Sequence, residues 1–342
     1  MKKGGLFALL IVAALLVAVP GAVFAQGGTD PICTGLTDAD CQLLNSTTAA
    51  MEGITSFSIP SFSVNFALNT VEGETTFNAS GSGHVMVPEG LTEDMDLAEV
   101  EGLLLHLVLD SVAYSTPTDS NSGSGEIIVI DDMLYVLYGG EWYGGQLEEE
   151  DLAEGEELEL DDELDAADVE DIAELQQMFD ELGIDLSGVI STARGADTDA
   201  MGQAVANFTT TVDLTQLFVA LLQSPAVGEA MGMAGEGEDA MTPEDMQMVA
   251  AMIAPMFQGT TISWSQGVGT EDNLLHSFAL DIVLNADLSL FDPTIGAIAG
   301  TLSVSADLDE YNGTFDVQPP ASFRPLEELE AKLEGVTEGL GM

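Results

Sequence analysis

The stretch that decides the fold is SFSIPSFSVNFALNT, residues 56–70, where Phe57, Ile59, Phe62, Val64, Phe66 and Leu68 stand at nearly every second place among small polar residues. A period of two sends those side chains to one face of an extended chain and the polar ones to the other, which is the pattern of a half-buried strand. Residues 75–87, with Phe77, Gly81, Gly83, Val85 and Val87, continue the alternation after a hairpin turn at Glu72-Gly73. LLLHLVLDSVAY (103–114) and EIIVIDDMLYVLY (126–138) add further strands, the latter broken by a turn at Asp131-Asp132. Residues 208–214, 260–268, 274–290 and 300–311 read as strands as well. After the last of these, the turn dipeptide Asn312-Gly313 predicts a hairpin return over 314–317.

Helical signals interrupt this run. Thr37 with Asp40 three residues later forms a capping pair for a helix reaching about Gly53. Ile172, Leu175, Met178, Phe179 and Leu182 recur at helical spacing until Gly183, and 215–222 is an apolar helix ended by Pro225. Thr242-Pro243-Glu244-Asp245 opens a helix to about Phe257, and a short helix follows Pro325. The order of elements gives an α+β domain, a long antiparallel sheet interrupted by a helical block. Two insertions stand out, an acidic run at about 148–171 and a Met-rich one at about 228–257. On the second, Val249, Met252, Ile253 and Met256 make an apolar face. It reads either as core packing or as an adaptable lid that contacts an apolar ligand.

The first residues read as an address. Lys2 and Lys3, an apolar run from Leu6 to Val19, the breaker Pro20-Gly21 and the ending Val23-Phe24-Ala25 predict a secretory signal peptide over 1–25, cleaved near Ala25. The apolar run is short for a membrane span, and no transmembrane segment is expected in the mature chain, 26–342, which reads as a single domain. Cys33 lies well beyond the cleavage site, so no lipid-anchoring cysteine follows the leader. In an oxidising compartment Cys33 and Cys41 are expected to form a disulfide, two buried thiols being the alternative.

Charge and motifs narrow the function. The chain carries 60 Asp and Glu against 5 Lys and Arg, a formal net charge of −55. Nucleic acids and anionic membrane surfaces recruit positive charge and are excluded as partners. His84, His106 and His276 are scattered through strand patterns, far apart in sequence, and read as ordinary strand histidines. No Gly-x-Ser-x-Gly, His-Glu-x-x-His or phosphate loop occurs, so no catalytic residue, metal site or cofactor is assigned and the chain is read as not an enzyme. Asp307-x-Asp309-x-x-Asn312-Gly313 misplaces the glycine of a calcium loop and reads as a hairpin turn. The 148–171 run could bind cations such as calcium weakly.

SFSVNFAL, GSGHVMVPEG, MLYVLYGGEWY, FTTTVDL, SFALDIVL and GTLSVSADLDEYNGTFDVQPP together resemble the LolA-like bacterial envelope carriers, and more closely the mycobacterial outer-layer lipoproteins of the LppX/LprG type. The resemblance covers about half of the mature chain. It implies a strongly curved antiparallel β-sheet, an unclosed half-barrel, with helices packed on its concave face, an apolar cavity between them, and a non-enzymatic carrier of acyl chains. The expectation is a secreted cell-envelope protein that binds an apolar small molecule or lipid. The alternative is an acidic envelope structural or interaction protein that binds cations.

Overall fold

The structure is a computed structural model that describes residues 33, 35–51, 53–71, 73–87, 102–130, 133–146, 188–200, 202–223, 248, 251, 254–287, 289, 296–329 and 332. The signal peptide, the acidic run, the helix expected from the Ile172–Leu182 spacing and nearly all of the Met-rich insertion lie outside the described residues. Thirteen described strands form one sheet. They are β1 (Ser56–Thr70), β2 (Gly73–Met86), β3 (Leu104–Ser115), β4 (Ser120–Ile130), β5 (Met133–Tyr138), β6 (Glu141–Gln146), β7 (Ile190–Arg194), β8 (Thr198–Ala200), β9 (Gln203–Asp213), β10 (Thr261–Gly269), β11 (Leu275–Asp287), β12 (Ala297–Asp309) and β13 (Arg324–Pro325). The order across the sheet is β13-β6-β5-β4-β3-β2-β1-β12-β11-β10-β9-β7, with β8 beside β9. The sheet is open: β13 and β7 end it and do not meet. All pairings are antiparallel except that of β13 with β6.

β1 sits at the centre, paired to β2 on one side and β12 on the other. Pro60 has no N–H to give a ladder, and both pairings shift register around it, between Ser58 and Phe62. Further irregularities fall between Ser80 and Gly81 on β2 and between Leu109 and Val112 on β3. Bulges at the same level of neighbouring strands bend a sheet.

Register assigns the two faces. Val64 of β1 stands opposite Ala79 and Val304, Val304 opposite Leu280, and Leu280 opposite Trp264. Cross-strand partners share a face, so one apolar side runs through the sheet. Toward one end it holds Phe57, Ile59, Val85, Leu107, Ile127, Val136 and Leu308, all buried. The opposite face is polar. There Ser63 bonds Ser305 at 2.9 Å, Ser303 donates to Asp281 at 2.6 Å, and Thr209 bonds Ser265 at 2.9 Å.

Helix α1 (Asp38–Met51) begins as its capping pair predicts. Thr37 Oγ1 accepts from the Asp40 amide at 3.2 Å and donates to the Asp40 carboxylate at 2.7 Å. Leu36, Leu43 and Leu44 pack on Ala206, Phe208 and Val268, so α1 lies on the apolar face over β9 and β10. The Cys33–Cys41 disulfide, with Cα atoms 5.3 Å apart, ties the preceding segment to its first turn. Helix α2 (Leu214–Gln223) follows β9 directly and touches the 3-10 turn Ala254–Phe257 through Phe218 and Phe257, ring centroids 5.7 Å apart.

The hairpin expected over 314–317 does not form. β12 is already paired on both sides, to β1 and β11, and offers no free edge to a returning strand. Asn312 takes its turn at φ 55°, its side-chain oxygen accepting from the Thr55 amide at 2.9 Å. The chain then crosses the polar face. Phe315 stacks on His84 of β2 with centroids 4.4 Å apart, and Phe323 meets Tyr135 of β5 at 5.2 Å. It next rounds the sheet edge as β13 and turns helical at 326, where Leu326 and Leu329 join the core of the apolar face. We call residues 310–332 the strap.

Candidate functional site

Burial of the apolar face is deepest around Ile59 and Leu308 and thins over β1 and β9–β12, with Phe77 of β2 at 8% and Ala286 of β11 at 7% staying buried beside and beyond that zone. Ile59 and Leu308 are 1% and 0% exposed, and two to three rows further along Phe66, Leu302, Ile282, Ile262 and Val212 are only half-buried. Register places these five in one row across β1, β12, β11, β10 and β9. The row beside it carries Leu280 and Trp264, also half-buried, and on β3, beyond the buried Phe77 and Ala79 of β2, Val112 and Tyr114 are half-buried as well. Beyond, Leu284 is 37% exposed opposite Gly300, which itself pairs with Leu68. Six of these residues, Phe66, Val112, Tyr114, Trp264, Leu280 and Leu302, rest on the buried core, so the zone is a floor continuous with it.

Both lateral corners of the apolar face are fastened by charge. Beyond Lys2 and Lys3, the basic residues of the chain are Arg194, Arg324 and Lys332. Arg194, on the edge strand β7, grips Asp40 of α1 and, at 2.6 Å, Asp197. The Thr37 hydroxyl first, and then Arg194, hold the Asp40 carboxyl below its ordinary value. At the other edge, Arg324 and Lys332 of the strap converge on Glu141 of β6 at 3.1 and 2.9 Å, and Lys332 also reaches the Tyr143 hydroxyl. Those partners, Lys332 foremost, hold Glu141 at about 2. Each cation is thus used to fix a covering element to an end of the sheet.

Of the residues singled out from sequence, Cys33 and Cys41 are bonded to each other. Met256 is buried in the 3-10 turn, whereas Val249, Met252 and Ile253 lie outside the described residues. His84 and His106, distant in sequence, are register partners on the polar face, rings 6.1 Å apart, with His106 Nε2 2.8 Å from Glu126. His276 pairs with Asp272 at 3.0 Å. Among the described residues no three His, Cys, Asp or Glu side chains are grouped to hold a metal ion. Within the same limits, the reading of a cation-binding protein finds no support, and no helix is long and apolar enough to cross a membrane.

The floor residues were all within strands legible from sequence. What the sequence did not show is which part of each strand stays open, because that depends on where covering elements end.

No family model matches the chain, and no curated protein matches it. Among solved structures it is similar to the lipoprotein LppX of Mycobacterium tuberculosis, at 13% identity over 82% of this chain and 100% of that one, with a TM-score of 0.31. It is similar to LprF of Mycobacterium bovis at 10% identity, covering 84% and 99% of the two chains, TM-score 0.31. A DUF1329 family protein from Desulfovibrio piger shares 9% identity over 85% and 96%, TM-score 0.21. LppX is also of the type that the sequence segments resemble. The scores are low, and the functional reading rests on the chain's own residues.

Proposed function

We propose that the chain is an extracytoplasmic, non-enzymatic protein that holds an apolar molecule, an acyl chain or lipid, against the floor around Phe66, Trp264, Ile282 and Leu302. The graded burial of the apolar face carries this reading. A face that served only as core would bury its branched and aromatic side chains along its whole length. Here they stay half-open over several adjacent strands, in a chain with 60 acidic residues to keep other surfaces wet. A contiguous apolar zone of that kind marks a binding site.

In this account the sheet curves so that the floor is concave, 26–342 acts as one domain, and the segment bearing Val249, Met252, Ile253 and Met256 is its adaptable lid. The Cys33–Cys41 disulfide supports an oxidising compartment, consistent with export. Export by the 1–25 leader, with cleavage near Ala25, is part of the same proposal. Organic extraction of the purified chain followed by mass spectrometry tests it. Reproducible co-purifying acyl species support the carrier, and an empty protein that takes up no fluorescent fatty acid contradicts it.

A further inference from the structure

The strap crosses the polar face along a single cross-strand row. Register aligns Asp309, Ser58, His84, His106, Ile128, Tyr135 and Gly144 from β12 to β6. Phe315 stands over the third member of that row and Phe323 over the sixth and seventh. Ile128, between the two anchors, is 3% exposed although it points to the polar side. The row is therefore a covered seam, and two of its members are histidines.

We propose that the strap is a pH-sensitive fastening: a neutral His84 holds Phe315, and protonation of that ring in mildly acidic medium loosens the strap between Gly313 and Phe323. The geometry at His84 carries this. Its Nδ1 is buried and has no hydrogen-bond partner among the described residues. A charged imidazole donates from both nitrogens, so protonation forces a buried N–H against nothing that accepts it. The flat stack on Phe315, planes 24° apart, leaves the ring covered by an apolar surface. His106 faces it from β3 and Glu126 of β4 partners His106, while Ser58 on β1 is uncharged. Glu310, in the turn that opens the strap, attracts a proton to the ring, and Asp309 lies one strand beyond Ser58 in the same row.

These influences do not cancel. Burial, then the neighbouring His106, push His84 below the ordinary histidine value of 6.5, against the opposing pull of Glu310. With the strap released the ring regains water and its ordinary value, so the released form binds the proton more tightly. Docking is then complete above about 6.5 and weakens as pH falls through and below it. Each unit by which His84 is lowered weakens docking tenfold at the acid limit.

The test uses the intact chain with a nitroxide on a Gln318→Cys variant, the native cysteines being bonded to each other. The mobile fraction of the label is expected to rise between pH 7.5 and 5. His84→Phe, which keeps a flat ring under Phe315, is expected to hold the label immobile at both values. An unchanged wild-type label, or an equal response in folded His84→Phe, overturns the proposal. Should His84→Phe fail to fold, the His84 ring titration followed by NMR decides. A midpoint below about 6.5 that moves upward in Phe315→Ala supports the fastening, and one at or above it, unmoved by Phe315→Ala, overturns it.

Discussion

Two adjacent glycines show how much one residue can owe to a distant one. In EWYGGQ, a Cβ at Gly144 would sit 2.7 Å from the Tyr135 ring and 2.9 Å from that of Phe323, on the polar face. One at Gly145 would sit 3.0 Å from Leu326, on the apolar face. The strap passes β6 on both sides, and bare backbone is what lets it. Gly144→Ala is expected to destabilise the chain by about 1–3 kcal/mol through overpacking, read as a lower thermal midpoint with strap residues exchanging faster. Leu329, 1% exposed, anchors the far end of the strap. Leu329→Ala is expected to cost about 2–5 kcal/mol in denaturant unfolding. The Thr37–Asp40 cap and the cysteine pair were legible in sequence because their partners lie within a few residues. The meaning of Gly144-Gly145 was not, since it depends on a segment some 180 residues later.

At the scale of elements, strands with clean alternation were readable. β1 matches its expected bounds, and β10 and β12 begin or end within a few residues of theirs. β7 and β8 escaped because they are short and exposed, and the first half of β4 because SNSGSG carries no apolar signal. The hairpin after β12 failed for a topological reason: turn chemistry at Asn312-Gly313 was right, but both neighbours of β12 were taken. The strap that results has two fasteners with separate pH ranges. Glu141, held at about 2 by Lys332, Tyr143 and Arg324, contributes fully above its ordinary value of 4.5 and loses its contribution as pH falls toward 2. Glu141→Gln is therefore expected to remove strap stabilisation at neutral pH, and with it the loss seen below about pH 4.5, while leaving the His84 response between pH 7.5 and 5 in place; labelled Gln318→Cys reports both. At the other edge, the disulfide closes a short loop before α1, and reducing it is expected to lower stability by about 2–3 kcal/mol in denaturant titrations run with and without reductant.

For the whole molecule, the charge balance sets the conditions, and the half-open floor is where the proposed binding is tested. With a formal net charge of −55 and a handful of cations committed to fastening the sheet edges, self-repulsion works against compactness. Screening relieves it, so the thermal midpoint is expected to rise as salt increases from low ionic strength to about 0.5 M, where the Debye length is only a few ångströms. Sequence pattern foretold an antiparallel sheet with one apolar face, and the register now identifies the part of it that stays half-open. The two tryptophans provide the direct measurement. Trp264 lies on the floor, whereas Trp142 stands opposite Leu137 on the other face. In a Trp142→Phe variant, titration with a bromine-labelled fatty acid is predicted to quench Trp264 emission saturably, and Ile282→Asp to abolish the quenching without unfolding the sheet. Emission from Trp264 that stays unquenched across the titration would contradict the assignment of the floor as a binding site for apolar molecules.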